Sequence, residues 1–188
     1  MDVVFDSTGL KVYGEGEWKV RTHGAGKRRI WRKLHLLSTP ENWDYVAVEL
    51  STVEVGDSEV LPELLNQLGD QPIAHGYGDG AYDTRACYEA IDAHGGSAVI
   101  PPRDNAAYWE TGHLRNQAVA ECQKVGRKTW KINAGYHFRS LAETAVYRFK
   151  KLIGACLSAR LPETQGTEAY VGVAVINRMN TLGMPQRA

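Results

Sequence analysis

The residues best suited to chemistry lie between Tyr136 and Lys150. If this segment is helical, polar side chains spaced three or four residues apart share one side of the helix. They are Tyr136, Arg139, Glu143, Tyr147 and Lys150. Glu143 is next to Ala142, at the border with the apolar side of the helix. In an isolated helix we would favour an exposed pair between Arg139 and Glu143, worth only about 0.2–0.5 kcal/mol.

Two aspartates at the ends of predicted strands suggest a partner set for Glu143. The run from Val3 predicts a short strand that ends on Asp6, and residues 73–78 predict a strand that ends on Asp79. In α/β sheets such strand ends line the crevice that holds functional groups, although a single aspartate there is more typical of a turn or cap. If the three carboxylates converge, they need a neutralising cation, and their hard oxygen atoms select Mg²⁺ or Mn²⁺.

The rest of the pattern predicts the elements that position these residues. Further strands are expected at 30–37, 43–50 and 97–100, and helices at 57–68, about 83–94 and from Phe138 to Ile153. This order predicts an α/β chain with a mixed five-stranded sheet flanked by helices. Residues 101–135 lack clear periodicity and indicate a basic functional loop or a small insertion.

Length and hydropathy favour one domain over residues 1–188, since 188 residues with 43% hydrophobic composition suit a single core. No apolar run approaches the roughly 18 residues that a bilayer span needs. We therefore expect a cytoplasmic protein with no membrane partner.

The net charge of zero conceals a segregation of charge along the chain. Residues 40–95 carry a balance of −11, whereas residues 11–33 and 101–151 each carry +6. DNA would be attracted to the two basic blocks. On charge alone, however, solvated loops that balance the acidic helices are the more typical explanation.

Each basic block contains candidate DNA contacts. Residues 24–33 do not match a nucleotide phosphate loop, because Arg28 stands where Ser or Thr is required. Lys27, Arg28 and Arg29 can instead follow a DNA backbone or simply be solvated. In the second block the candidates are Lys128 and Trp130, whose ring can stack on an exposed base or pack in the core.

The spacing Tyr136-x2-Arg139-x3-Glu143-x6-Lys150 resembles the signature of bacterial insertion-sequence transposases with a DDE catalytic site. The run RSLAETA that begins at Arg139 is similar to insertion-sequence family five. The resemblance also takes in residues 6–11, 78–84, 100–103 and 177–179, so it covers nearly the whole chain.

This resemblance implies a ribonuclease H-like fold and a DNA transposase. Asp6, Asp79 and Glu143 would be the catalytic residues and would hold two Mg²⁺ or Mn²⁺ ions, with Asp6 bridging them. The chain would cleave the ends of an insertion sequence and join them to target DNA, in the cytoplasm at the bacterial nucleoid. Arg139 and Lys150 would face DNA phosphates, and Tyr136 would position the backbone or a terminal base.

The resemblance further implies a homodimer or higher oligomer assembled on DNA. Full-length relatives carry an amino-terminal region that recognises the element ends, whereas only five residues precede Asp6 here. We therefore expect a catalytic domain without that region. The alternative is a non-catalytic truncated transposase that binds DNA or regulates a full-length one, and a generic nuclease with the same fold is a weaker third.

Overall fold

The computed structural model of the chain describes residues 1–12 and 30–182. One sheet contains the strands β1 (Val3–Val12), β2 (Trp31–Ser38), β3 (Tyr45–Thr52), β4 (His75–Tyr77), β5 (Ser97–Val99) and β6 (Cys156–Leu157). The α-helices of these ranges are α1 (Asp57–Asn66), α2 (Arg85–Ala93), α3 (Arg115–Val125), α4 (Arg127–Asn133), α5 (Ser140–Leu152) and α6 (Pro162–Leu182). Single 3₁₀ turns occupy Gly80–Tyr82 and Tyr136–Arg139.

The strands are ordered β3-β2-β1-β4-β5, and β6 pairs with the far end of β1. The pairs β1–β2 and β2–β3 are antiparallel, whereas β4 is parallel to both β1 and β5. The predicted α/β class and mixed sheet are therefore confirmed, and β6 adds a sixth strand. Its two residues pair in parallel with Lys11 and Val12.

Strand β1 is longer than its sequence predicts. A break was expected at Ser7-Thr8-Gly9, but antiparallel pairing to β2 continues from Val4 to Lys11. The backbone hydrogen bonds of this ladder outweigh the turn preference of Ser and Gly. Asp6 therefore lies inside a strand and not at its end, which corrects the sequence-based placement.

Apolar side chains on the two faces of the sheet pack against different helices. On one face, Phe5 and Leu37 pack with α1 and α2. On the other, Leu10 and Leu36 pack with α5 and α6. A third cluster joins Val4 to α4 and α5. Because side chains alternate along a strand, Asp6 shares its face with Val4 and Leu10, below α5.

Helix α1 contains a proline in its second turn. Pro62 has no N–H to donate to the carbonyl of Ser58, one turn earlier. The thiol of Cys87 on α2 lies 3.3 Å from that carbonyl and donates to it. This contact compensates for the missing helix bond and joins the two helices on this face.

Residues 101–135 are more regular than the sequence suggests. They contain α3 and α4, although α3 has little amphipathic pattern and buries only Arg115 and Val119. The long helix α6 was not predicted either. In the ranges 1–12 and 30–182, no helix is both long and apolar enough to cross a bilayer.

Candidate active site

Sheet register brings Asp6 and Asp79 to the same level of the fold. The last parallel pair between β1 and β4 joins Val4 to Tyr77. Asp6 and Asp79 each lie two residues farther along, where β4 has ended and its chain turns away from the sheet. Parallel neighbours that run in register place such residues side by side, so the two carboxylates meet in the crevice beyond β4.

Local hydrogen bonds orient both aspartates. One carboxylate oxygen of Asp6, Oδ1, accepts the N–H of Ser7 at 2.9 Å. Oδ1 of Asp79 accepts the N–H of Ala81 at 2.8 Å and caps the 3₁₀ turn. In both residues the second oxygen, Oδ2, is left to point into the crevice.

Gly78 allows the Asp79 chain to approach β1 closely. A Cβ atom at this position would lie 2.1 Å from Cε2 of Phe5, which no real contact allows. The Phe5 ring is itself fixed, since it packs edge-on against Tyr82 with 4.7 Å between ring centroids. The close packing of Gly78 against Phe5 thus limits how far Asp79 can move relative to Asp6.

Glu143 reaches the same crevice from α5. Its helical neighbour Arg139, one turn earlier, extends a guanidinium among all three carboxylates. Nη2 of Arg139 lies 3.3 Å from Oδ2 of Asp6 and 3.3 Å from Oδ2 of Asp79, while Nη1 donates to Glu143. Both aspartate oxygens therefore lie within 3.3 Å of one atom, so the carboxylates expected to converge are brought together around a cation of the chain itself.

The charged side chains of the site differ in their exposure to solvent, and Asp6 and Arg139 are the most buried. The Arg139 side chain is 16% exposed and that of Asp6 18%, whereas Glu143 is 64% exposed. Burial raises the pKa of Asp6, and Asp79 and Glu143 raise it further; Arg139 and the Ser7 N–H lower it. The guanidinium Nε of Arg139 is buried and has no hydrogen-bond partner in the described structure.

No group of three His, Cys, Asp or Glu side chains in the described ranges has the arrangement of a metal site. In the crevice the guanidinium of Arg139 lies among the three carboxylates. The donor set nevertheless fits Mg²⁺ or Mn²⁺, because these ions take carboxylate oxygens and the Oδ2 atoms of Asp6 and Asp79 already converge on the positive charge of Arg139. Metal binding at these residues therefore requires Arg139 to withdraw.

The other predicted DNA contacts fall at different distances from the crevice. Tyr136 is half-buried beside it, with Nζ of Lys131 4.7 Å from the ring centroid and its own pKa raised by burial. Lys150 is half-buried in the last turn of α5, about 10 Å along the helix from Glu143. Lys128 is exposed at the start of α4.

Trp130 does not offer a ring for base stacking. It is only 3% exposed and packs in the third core cluster with Val4 and Ala142. The alternative interpretation of this residue, simple packing, is the correct one. Lys27, Arg28 and Arg29 lie outside the described residues.

A buried ion pair beside the Asp79 turn was not predicted from the sequence. Asp83 and Arg115 form it, and both are almost completely buried. The position of Asp83, four residues after Asp79, could have marked it as part of the site. Its partner Arg115 lies in a segment without periodicity, so the sequence did not link the two residues.

The model of one protein family, described as the transposase DDE domain, matches residues 2–178. The match includes the elements that supply Asp6, Asp79 and Glu143, and the mixed α/β sheet agrees with the ribonuclease H-like fold that such a family implies. DNA transposition by a mobile element is the function of this family. The chain belongs to the transposase DDE domain family.

Proposed function

We propose that this chain is the catalytic domain of an insertion-sequence transposase that cleaves the element ends and joins them to target DNA. Asp6, Asp79 and Glu143 are its catalytic residues. The observation that carries the proposal is the convergence of these three carboxylates, from three distant segments, on the guanidinium of Arg139. The resemblance of residues 139–145 to insertion-sequence family five supports the narrower assignment.

The three carboxylates would hold two divalent ions, Mg²⁺ or Mn²⁺. Bound there, the metal supplies Lewis-acid activation of the attacking oxygen and neutralises charge at the phosphodiester. Asp6 is the least exposed of the three side chains and lies between Asp79 on one side and α5 on the other. Glu143, which is mostly exposed, closes the site from the solvent side.

Arg139 has two alternative anionic partners in this scheme. Without DNA its guanidinium neutralises the carboxylates, and with DNA bound it turns to a backbone phosphate, for which an arginine fork is well suited. Tyr136 borders the same crevice and can position the backbone or a terminal base. Lys150 and Lys128 add positive charge along α5 and α4, where the strand leaves the site.

Residues 1–188 act in this proposal as one ribonuclease H-like domain, and the segment 101–135 is an ordered insertion that carries α3 and α4. Lys27, Arg28 and Arg29 contribute further positive charge for DNA. Assembly of two or more copies on DNA follows from the need to process two element ends.

A strand-cleavage assay tests the proposal. Purified chain is incubated with oligonucleotides that carry the ends of its element, with Mg²⁺, Mn²⁺ or EDTA. We expect metal-dependent nicking and joined products, with a loss of at least a hundredfold in Asp6→Asn and Glu143→Gln. Glu121→Gln, an exposed carboxylate on α3, is the matched control and should keep full activity.

Equal cleavage by wild type, Asp6→Asn and Glu143→Gln would reject the proposal. Salt-sensitive DNA retention with no nicking at any metal concentration would identify the non-catalytic alternative instead. Nicking without joined products would indicate a nuclease of the same fold.

A further inference from the structure

A buried ion pair lies directly behind the turn that presents Asp79. The Asp83 side chain is fully buried and that of Arg115, at the start of α3, is 4% exposed. Nη2 of Arg115 donates to Oδ2 of Asp83 at 2.7 Å and its Nε donates to Oδ1, so the pair is bidentate. The third nitrogen, Nη1, donates to the carbonyl of Ala107 at 2.9 Å. Every guanidinium nitrogen thus has a partner.

The same carboxylate also fixes the start of the 101–135 segment. Oδ2 of Asp83 accepts the backbone N–H of Arg103 at 2.9 Å. On the other side, the Trp109 ring covers the Arg115 guanidinium with 4.1 Å between its centroid and Cζ. Asp83 is therefore the point at which residues 103–115 are tied to the catalytic half of the sheet.

Arg103 continues this connection on to the Asp79 turn itself. Its Nε donates to the carbonyl of Gly80 at 3.2 Å, and its Nη2 donates to the carbonyl of Ala81 at 3.4 Å. The N–H of Ala81 is the group that binds the Asp79 carboxylate. Arg103 therefore holds, through two carbonyls, the peptide units that orient Asp79.

A buried ion pair is a poor choice if stability is its only purpose. Removing two charges from water costs several kcal/mol per ion, and apolar residues of similar size often stabilise a fold equally well. A bidentate pair does, however, fix direction and distance, which an apolar contact does not. This desolvation cost is consistent with a functional role for the geometry of the Asp79 turn.

We propose that Asp83, Arg103 and Arg115 form a brace whose role is to position the Asp79 carboxylate, so that the 101–135 segment serves the reaction by fixing a catalytic residue. Within it Arg103 is the positioning residue that touches the turn. The consequence for metal binding rests on the proposed function, but the effect on the turn does not.

Arg103→Ala is the informative variant, because Arg103 contacts the turn from an exposed position and its loss leaves no buried charge unpaired. Amide hydrogen exchange is measured by NMR in the metal-free protein. We expect the Ala81 amide to exchange at least tenfold faster, while the amide of Val173 in α6 keeps its rate. Arg103→Lys, which can still reach one carbonyl, should restore part of the protection.

Manganese binding gives a second measurement, in which the direction of the change in affinity distinguishes a charge effect from a positioning effect. Removing a positive charge near a cation site should by itself tighten Mn²⁺ binding. Loss of positioning should weaken it, and we expect Mn²⁺ affinity, followed by electron paramagnetic resonance, to fall about fivefold in Arg103→Ala. Lys124→Ala removes an exposed charge from the same segment and controls for electrostatics.

An unchanged Ala81 exchange rate in Arg103→Ala would overturn the brace, whatever the metal result. So would Mn²⁺ affinity that rises in Arg103→Ala as it does in Lys124→Ala. If wild type neither binds Mn²⁺ nor nicks DNA, the proposed function fails, and the exchange measurement still decides whether Arg103 holds the turn.

Discussion

Replacing Arg139 with glutamine should make the metal-free protein bind Mn²⁺ more tightly. The guanidinium lies among Asp6, Asp79 and Glu143, so a metal ion can reach these carboxylates only after Arg139 leaves. Glutamine keeps most of the side-chain length but carries no charge, so it removes the competing cation and preserves the helix.

The expected size of the effect follows from the contacts that Arg139 gives up. A hydrogen bond to a charged group contributes about 1.5–3 kcal/mol. One nitrogen serves both Asp6 and Asp79, each at a rather long 3.3 Å, and the contact with Glu143 is largely exposed to solvent. We therefore take the lower value once, about 1.5 kcal/mol, which corresponds to roughly tenfold in Kd.

The assay is a Mn²⁺ titration followed by electron paramagnetic resonance, without DNA. Arg148→Gln is the matched control, because Arg148 lies on α5, which follows the turn of Arg139, but donates to Trp43 and Asn180, away from the crevice. We expect about tenfold tighter binding in Arg139→Gln and no change in Arg148→Gln. Equal or weaker binding in Arg139→Gln would show that the arginine is a scaffold for the carboxylates and not a competitor for their site, and the reasoning above would be refuted.

Three further predictions concern stability. Burial lowers the pKa of His35 from 6.5 to about 4, so the free energy of unfolding should fall by about 3 kcal/mol between pH 6.5 and pH 4, because there the unfolded chain binds the proton and the folded chain does not. Urea unfolding at pH 7 and pH 5 should show a smaller loss of stability in His35→Asn than in wild type, and equal losses would contradict this. Gly78→Ala should lower the free energy of unfolding by about 1–3 kcal/mol because its Cβ collides with the Phe5 ring. Thermal melts should show that adding Phe5→Leu recovers part of this loss, and a double variant whose loss equals the sum of the two single losses would contradict the clash. Asp83→Ala should cost about 3–5 kcal/mol, since it leaves the buried charge of Arg115 unpaired, and a melting temperature equal to that of wild type would disprove the importance of the pair.

The sequence predicts the elements next to Asp79 and Glu143 better than it predicts the strand that carries Asp6. Short-range patterns identified the strand before Asp79 and the helix that carries Glu143, because alternation and helical spacing are local properties. They misplaced the end of β1, since the ladder that carries Asp6 onward depends on residues 31–38, which are distant in sequence. Long-range pairing of this kind leaves no local trace.

The sequence did not predict that the three carboxylates converge; it indicated only what would follow if they did. Nothing in the spacing of Asp6 and Asp79 states that β1 and β4 are neighbours; that follows from the strand order β2-β1-β4. The helices α3 and α4 were missed for another reason. Helix α3 buries a charged residue, Arg115, where a hydrophobic one would have given an amphipathic pattern. A pattern search for apolar faces does not detect a helix anchored by an ion pair.

The position of Arg139 one helical turn before Glu143 has a physical consequence for folding. Three carboxylates from separate segments repel one another, and a chain that folds before it meets metal must offset that repulsion or leave the crevice open. Arg139 ends the 3₁₀ turn that leads directly into the helix of Glu143, so the two side chains reach the crevice together. Because Asp6 is mostly buried, the compensating charge must come from within the protein. Arg139 therefore stabilises the metal-free site, so tighter metal binding in Arg139→Gln should be accompanied by a less stable metal-free protein.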